Sequence, residues 1–269
     1  MRYGFILPGG TAAQQLELGV QAEACGWDGV FVWEAAYGID AWSVLAAIAA
    51  RTERIHLGTM LTPLPWRRPW KVASQAATLD QLAEGRTILT LGLGAITEDL
   101  PLTGEEEDLR ERATLLDDGI DMMRALWSGK RSHEGPRFSY TFGMDDQLRV
   151  GSPRSGSIPL WVVAAWPRPK SMRRALRCEG VVPQYADHQG SPEDARDVLR
   201  WLVEHGADPK IDVIAQGQTS GEREGLEEVA RWREAGCTWW LETNWEMPHH
   251  VPARMSEVTG RLSLGPPRP

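Results

Sequence analysis
Eight short apolar runs, separated by stretches with helical periodicity, set the rhythm of this chain. They are Gly4-Phe5-Ile6-Leu7, Val30-Phe31-Val32-Trp33, Ile55 to Leu61, Thr87 to Leu93, Leu160 to Ala164, Gly180-Val181-Val182, Ile211 to Ala215 and Thr238 to Leu241. Most neighbouring runs begin roughly 20 to 32 residues apart, the length of one βα unit of a parallel sheet. Eight such units in one domain spanning residues 1–269 predict the α/β class and a (β/α)8 TIM barrel. In that architecture chemistry sits where the strands end.

Helix signals fall where a barrel needs them. Thr11 with Gln14 and Thr103 with Glu106 read as capping boxes. Asp40 and Ser191 stand at further helix starts, and Pro69 suits a first helical turn. Leu109, Leu116, Ile120, Met123 and Trp127 share one helix face. Gly85, Gly129, Gly206 and Gly236 follow helical stretches as stop signals. Between the fourth and fifth strands the interval is about 65 residues. Part of it, Gly129 to Ile158, is rich in Gly, Ser, Pro and charge and contains the strand-like Phe138–Phe142. It reads as an insertion, expected to cross the barrel mouth as a lid. The tail, Gly265 to Pro269, is expected to be disordered or draped on the surface.

Composition narrows the function. The net charge of −8 argues against a nucleic-acid partner, which favours a basic face. No apolar stretch approaches 18 residues, so no membrane span is expected. Met1 runs straight into a strand without a signal-peptide pattern, and Cys25, Cys178 and Cys237 form no CxxC pair. The expected location is the cytoplasm, with free thiols. Thirteen Trp against four Phe and four Tyr are read mainly as core, with several available to line a pocket for a flat ligand.

The predicted strand ends carry Glu34, Met60-Leu61-Thr62, Gly92-Leu93-Gly94, Ala164-Ala165-Trp166, Gln184-Tyr185, Gln216-Gly217 and Glu242-Thr243. This rim is small and apolar, with Glu34, Glu242 and Glu98 as its acidic members. It suits a planar aromatic cofactor met by backbone amides. Arg168, Lys170, Arg173 and Arg174 gather at a helix start, where a phosphate is favoured, although the same residues also suit a solvated helix face. His56 reads as structural and His205 as a helix-end partner, and no metal site is expected.

Specific strings then become informative. Gly58-Thr59-Met60-Leu61-Thr62-Pro63-Leu64-Pro65, Arg68-Pro69, Ala77-Thr78-Leu79-Asp80, Gly85-Arg86 and Leu91-Gly92-Leu93-Gly94 form a linked series. With Ala22 to Asp28, Val32-Trp33-Glu34 and Ile158 to Ala164, it resembles the bacterial luciferase-like monooxygenases, flavin- or deazaflavin-dependent oxidoreductases. The resemblance is close over about residues 1 to 95, fair over 155 to 185, and one of layout in the last third.

The resemblance implies a barrel mouth that binds coenzyme F-420 or FMN. Met60, Leu61 and Thr62 would lie against the ring, and Gly92 and Gly94 would leave room beside it. Ala164, Ala165, Trp166, Arg168 and Lys170 would take the ribityl-phosphate side. A twisted or cis peptide after the third strand is frequent in the family. Where many members carry a His or an Asp-His pair after the second strand, this chain has Glu34-Ala35-Ala36, so Glu34 is the candidate proton-handling side chain. The implied activity is hydride transfer to, or oxygenation of, a small organic substrate. Two other readings stand beside it: a cofactor-independent hydrolase or isomerase using Glu34 and Glu242 as paired acids, and a non-catalytic flavin-binding protein. A homodimer is implied through the helices after the second and third strands, with Trp42, Trp66 and Trp70 as candidate contacts.

Overall fold
The structure is a computed structural model that describes all residues except 35–37, 96–103, 144–152, 155, 187–188, 222, 244–250 and 269. In chain order the elements are β1 (Arg2–Ile6), α1 (Ala12–Ala24), β2 (Gly29–Val32), α2 (Ala41–Ala49), β3 (His56–Pro63), α3 (Pro69–Leu82), β4 (Thr87–Gly92) and α4 (Leu109–Trp127). A small hairpin follows, β5 (Ser132–Glu134) and β6 (Ser139–Thr141). The series then resumes with β7 (Leu160–Trp166), α5 (Pro169–Ala175), β8 (Gly180–Tyr185), α6 (Pro192–Glu204), β9 (Asp212–Gly217), α7 (Arg223–Glu234), β10 (Trp239–Thr243) and α8 (Val251–Ser263). Eight strands close into a parallel barrel in the order β1-β10-β9-β8-β7-β4-β3-β2. All eight apolar runs are barrel strands.

Local chemistry explains the helix starts. Thr11 and Gln14 form the reciprocal capping box of α1, while Asp40 and Ser191 accept from Ser43 and Asp194 amides to cap α2 and α6. The start of α4 differs from expectation. Asp108, not Thr103, is its cap, accepting from the amides of Arg110 and Glu111 at 2.9 Å, and Glu106 accepts from the Asp108 amide. Thr103 lies outside the described residues.

Strand alternation separates two cores. Ile6, Phe31, Met60, Ile88, Trp161, Val182, Ile214, Trp239 and Leu241 form one cluster to which every barrel strand contributes, so it fills the barrel. Phe31 stacks on Trp161 at 5.5 Å, and Trp161 meets Trp239 edge-on at 5.1 Å. Three aromatics fit because glycines face them. A Cβ on Gly58 would lie 2.2 Å from the Ile88 carbonyl oxygen and 3.0 Å from the Phe31 ring, and one on Gly180 would lie 2.3 Å from Trp161. The alternate positions, including Val30, Val32, Leu89, Val162, Ala164, Val213 and Trp240, pack outward against the helices in the larger cluster.

The described part of the insertion is a hairpin that packs on α4. The buried Asp118 of α4 accepts from the amides of Arg137 and Phe138 at 2.6 and 2.7 Å and pairs with His133 Nε2 at 3.1 Å. Residues 144–152 of the insertion lie outside the described residues. The tail is draped as expected: Arg268 donates to the Gly26 carbonyl and to Asp28 at the amino-terminal face.

Candidate active site
The barrel is filled at its amino end and opens towards the carboxyl end. On β7 the inward positions are Trp161, Val163 and Ala165, and exposure rises from none at Trp161 to half-buried at Val163 and Ala165. The same gradient runs on the other strands. It passes from Val182 to the exposed Gln184 on β8, from Ile214 to the exposed Gln216 on β9, and from Leu241 to the half-buried Thr243 on β10. Trp33, two residues past the inward-facing Phe31, is half-buried at the same rim. The result is a cup floored by Met60 and Val163, with an indole, two carboxamides and a hydroxyl at its edge. Of these residues, Trp33, Gln184, Gln216 and Thr243 stand at predicted strand ends, yet apolar patterning alone did not mark them as site residues. Counting alternate positions upward from Phe31, Val182, Ile214 and Leu241 finds them.

Parity also sorts the predicted residues. Met60 and Leu61 lie at the floor and wall of the cup, joined by a cis peptide bond, where the pairing register of β3 with β4 shifts between Thr59 and Thr62. Thr62 thereby shares a side with Thr59, their hydroxyls 2.9 Å apart. Gly92 and Gly94 admit neighbouring side chains of this chain: Cβ atoms there would lie 2.7 Å from Leu61 and 2.5 Å from the Trp66 ring. Gly94 is held further by Arg112, which donates to the Leu93 and Gly94 carbonyls and covers Trp66. Ala165 faces the cup, whereas Ala164 is fully buried and Trp166 is half-buried, both packed on the outward side. Arg168 and Lys170 are exposed at the start of α5 and form no ion pair with another described residue. Arg174 does not join them; it pairs with Asp117 of α4.

The two acids are separated by the same rule. Glu34 follows Val32 on the outward parity and is buried between β2, β3 and the helices. Its Oε2 accepts from Trp42 Nε1 at 3.1 Å and from Thr62 Oγ1 at 2.5 Å, and its Oε1 accepts from Arg67. Arg67 also donates to Gln75 at 2.9 Å, and burial lowers its pKa from the ordinary value. Glu242, between inward Leu241 and Thr243, is fully buried on the helix side. It accepts from the Thr219 amide and hydroxyl, from Trp240 and from Arg261, at 2.6 to 3.2 Å. Both carboxylates are therefore saturated acceptors in buried ion pairs, an arrangement unlike the free acid pair of a hydrolase. Glu98, His188 and His249-His250 lie outside the described residues. Among the described residues no three His, Cys, Asp or Glu side chains converge on a metal position, and no helix is long and apolar enough to cross a membrane.

A parallel eightfold barrel filled at one end by aromatics and open at the other as a cup defines a (β/α)8 barrel protein. The chain belongs to the luciferase-like monooxygenase family, whose profile matches residues 3–255. An F-420-dependent glucose-6-phosphate dehydrogenase of Nocardia farcinica is 34% identical over 130 residues, 47% of this chain and 37% of that protein. A 4-hydroxyprotoasukamycin monooxygenase of Streptomyces nodosus subsp. asukaensis is 33% identical over 208 residues, 75% of this chain and 54% of that protein. The chain thus spans about half or less of the length of these curated relatives. Among solved structures, an F-420-dependent secondary alcohol dehydrogenase bound to an F-420–acetone adduct superposes with a TM-score of 0.76 at 17% identity, covering 97% of this chain and 98% of that one. A type II Baeyer–Villiger monooxygenase in complex with FMN superposes with a TM-score of 0.63 at 23% identity, covering 81% of this chain and 67% of that one. At these identities the superpositions show the shared barrel.

Proposed function
We propose that this chain is an oxidoreductase that uses coenzyme F-420 or FMN to act on a small organic substrate by hydride transfer or oxygenation. The observation that carries this reading is the cup itself. Inward residues below it are buried, and those at its edge are solvent-touched and pair apolar surface with carboxamides that form no side-chain hydrogen bond with another described residue. The residues fit a planar ring: Met60, Leu61, Val163 and Ala165 supply apolar contact, and Gln184, Gln216 and Thr243 supply donors and acceptors for its heteroatoms. Arg168 and Lys170, free of ion pairs among the described residues, are placed to hold a phosphate. Bound there, either cofactor would supply two-electron redox chemistry.

The chain's own part is to bind, orient and hold protons. Glu34 acts through Thr62, whose hydroxyl proton is committed to its carboxylate, leaving lone pairs on the Thr62 oxygen as acceptors. Glu34 is thus a positioning residue for the wall of the cup and the anchor of Arg67. A small-molecule substrate and a cytoplasmic setting accompany this reading. So does a homodimer through α2 and α3, for which Trp70 is the exposed contact. Trp42 is buried against Glu34, and Trp66 is half-buried and packed on Gly94.

Parallel titration of the purified chain with F-420 and FMN, followed by cofactor fluorescence, tests the reading. Saturable binding of one, weakened by Ala165→Trp in the cup, is the expected result. Absence of binding by both would overturn it. The dimer has its own test, since Trp70→Glu should halve the mass in solution.

A further inference from the structure
At the opposite, amino-terminal face of the barrel lies a second cavity of about 310 Å³, lined by Arg2, Glu23, Gly26, Trp27, Asp28, Arg54 and His56. Its size falls at the small end of pockets that hold whole small molecules, ~300–1,000 Å³. None of the residues of the cup contributes to it.

The charges in its lining are unequally satisfied. Both acids are consumed. Glu23 accepts from the backbone amides of Glu53, Arg54 and Ile55 at 2.6 to 3.1 Å, and these bonds keep its pKa lowered despite burial. Asp28 accepts from the Tyr3 amide at 2.8 Å and from Arg268 at 2.9 Å, one partner on each oxygen. The cations are not consumed. The Arg2 guanidinium rests over the Trp239 ring at 5.5 Å and forms no hydrogen bond or ion pair with another described residue. The Arg54 side chain likewise has none, although its backbone amide is fixed by Glu23. Arg86, the neighbouring cation, is spent on the carbonyls of Ala49, Thr52, Ile55 and Ala83.

His56 completes the set. Its Nδ1 stands 3.2 Å from the Arg86 carbonyl oxygen, which requires the proton on Nδ1 and leaves Nε2 with a lone pair. Its ring is held edge-on against Trp239 at 5.8 Å, so Arg2 and His56 are set on the same indole. Among the described residues, the unmet hydrogen-bonding capacity of this lining is therefore that of two guanidiniums, one of which also acts through its charge on Glu23, and one imidazole nitrogen. Guanidiniums match oxyanions through paired N–H donors.

From this we infer that the amino-terminal cavity is a binding site for a phosphate group carried by a small molecule, held by Arg2 and Arg54 with His56 as third partner. A tetrahedral oxyanion offers an oxygen to each of the three groups, and the remaining volume beside Gly26 and Trp27 takes the organic part. The anion also changes His56. Burial, with the charges of Arg2 and Arg86, now opposes protonation of the imidazole and outweighs the Asp28 carboxylate and the Arg86 carbonyl, which favour it. A bound dianion offsets those charges and shifts the His56 equilibrium towards the protonated form, a donor.

The test uses the full chain and inorganic phosphate as the probe, with His56 imidazole signals followed by NMR and assigned through His56→Gln. A saturable shift of those signals is expected, with the His56 titration moving to higher pH. The double variant Arg2→Gln/Arg54→Gln is expected to bind phosphate about tenfold or more weakly, with unchanged circular dichroism and unchanged F-420 or FMN binding at the far mouth. A response that sodium chloride reproduces at equal ionic strength, or that the double variant retains, overturns the site. So does the lack of any saturable response.

Discussion

Glu34 and Arg67 form an ion pair behind the wall of the cup, with Trp42 and Thr62 donating to the same carboxylate and Gln75 steadying the guanidinium. Glu34 lies two residues past β2, and Arg67 lies in the segment between β3 and α3. The pair therefore ties two strand ends together at the rim.

Loss of one partner leaves the other buried without compensation, so Glu34→Ala should cost about 3 kcal/mol of unfolding free energy. This is the low end of the range for such pairs, because the Arg67 side chain retains 27% exposure. Glu34→Ala combined with Arg67→Met should recover much of the loss. Urea denaturation of the single and double variants measures the coupling. A coupling near zero would show that the pair carries no net stability.

Arg261 anchors α8 to the end of β10. It meets Glu242, Thr219 and the Gly265 carbonyl, and it lies over the Trp27 ring at 5.1 Å. Glu242 is fully buried, so Arg261→Ala strands its charge and should cost about 3–5 kcal/mol. Protection of β10 amides from hydrogen exchange should fall first, because α8 is then released from it. Equal loss of protection in all strands would contradict this local account.

The fold was legible because each barrel strand is a continuous apolar run and several intervening helices carry their own caps, as with Thr11, Asp40 and Ser191. Both signals are local in sequence. Pairings such as Glu34 with Arg67 were not legible, since β2 and the α3 approach meet only when the barrel closes. Glu242 looked like a mouth residue by its place at a strand end, and only parity against Leu241 turns it outward. The 129–158 insertion looked like a lid by length and composition, while Asp118, which fastens its hairpin to α4, is one of several acids in the α4 pattern and carries no local signal of that role. Thr103 with Glu106 had the right spacing for a cap, yet Asp108 stands directly before the first helical turn.

Glycine positions separate barrel packing from helix propensity. At Gly58 an added Cβ meets a backbone oxygen at 2.2 Å, which no rotamer change relieves. Gly58→Ala should therefore cost about 3 kcal/mol or more. At Gly260, within α8 and exposed, nothing lies within 4 Å of the added Cβ. Gly260→Ala should stabilise by about 0.5–1 kcal/mol through the lost freedom of the unfolded chain. Thermal melts of both variants would show opposite signs, and a stabilised Gly58 variant would contradict the description of the barrel interior.

The two buried thiols make stability sensitive to alkali. Burial pushes Cys178 up to about 11 and Cys237 up to about 12 from an ordinary value of 9.0. At pH 8 only about one Cys178 in a thousand is then thiolate in the folded chain. Iodoacetamide should accordingly modify the half-buried Cys25 first, and Cys178 and Cys237 only after unfolding. The sign of the pH effect follows from the raised values. Below about 9 both states hold the thiol protons, and the full stabilisation is present. As pH rises the unfolded chain releases them first, so stability falls between about 9 and 12. The Tyr185 phenol, also raised by burial, acts in the same direction. Cys178→Ser/Cys237→Ser removes the thiol contribution, so its stability should decline less steeply over that window than that of the parent chain. An identical slope in denaturant titrations at pH 9 and pH 11 would show that these sulfurs remain open to solvent and do not pack beneath the helices.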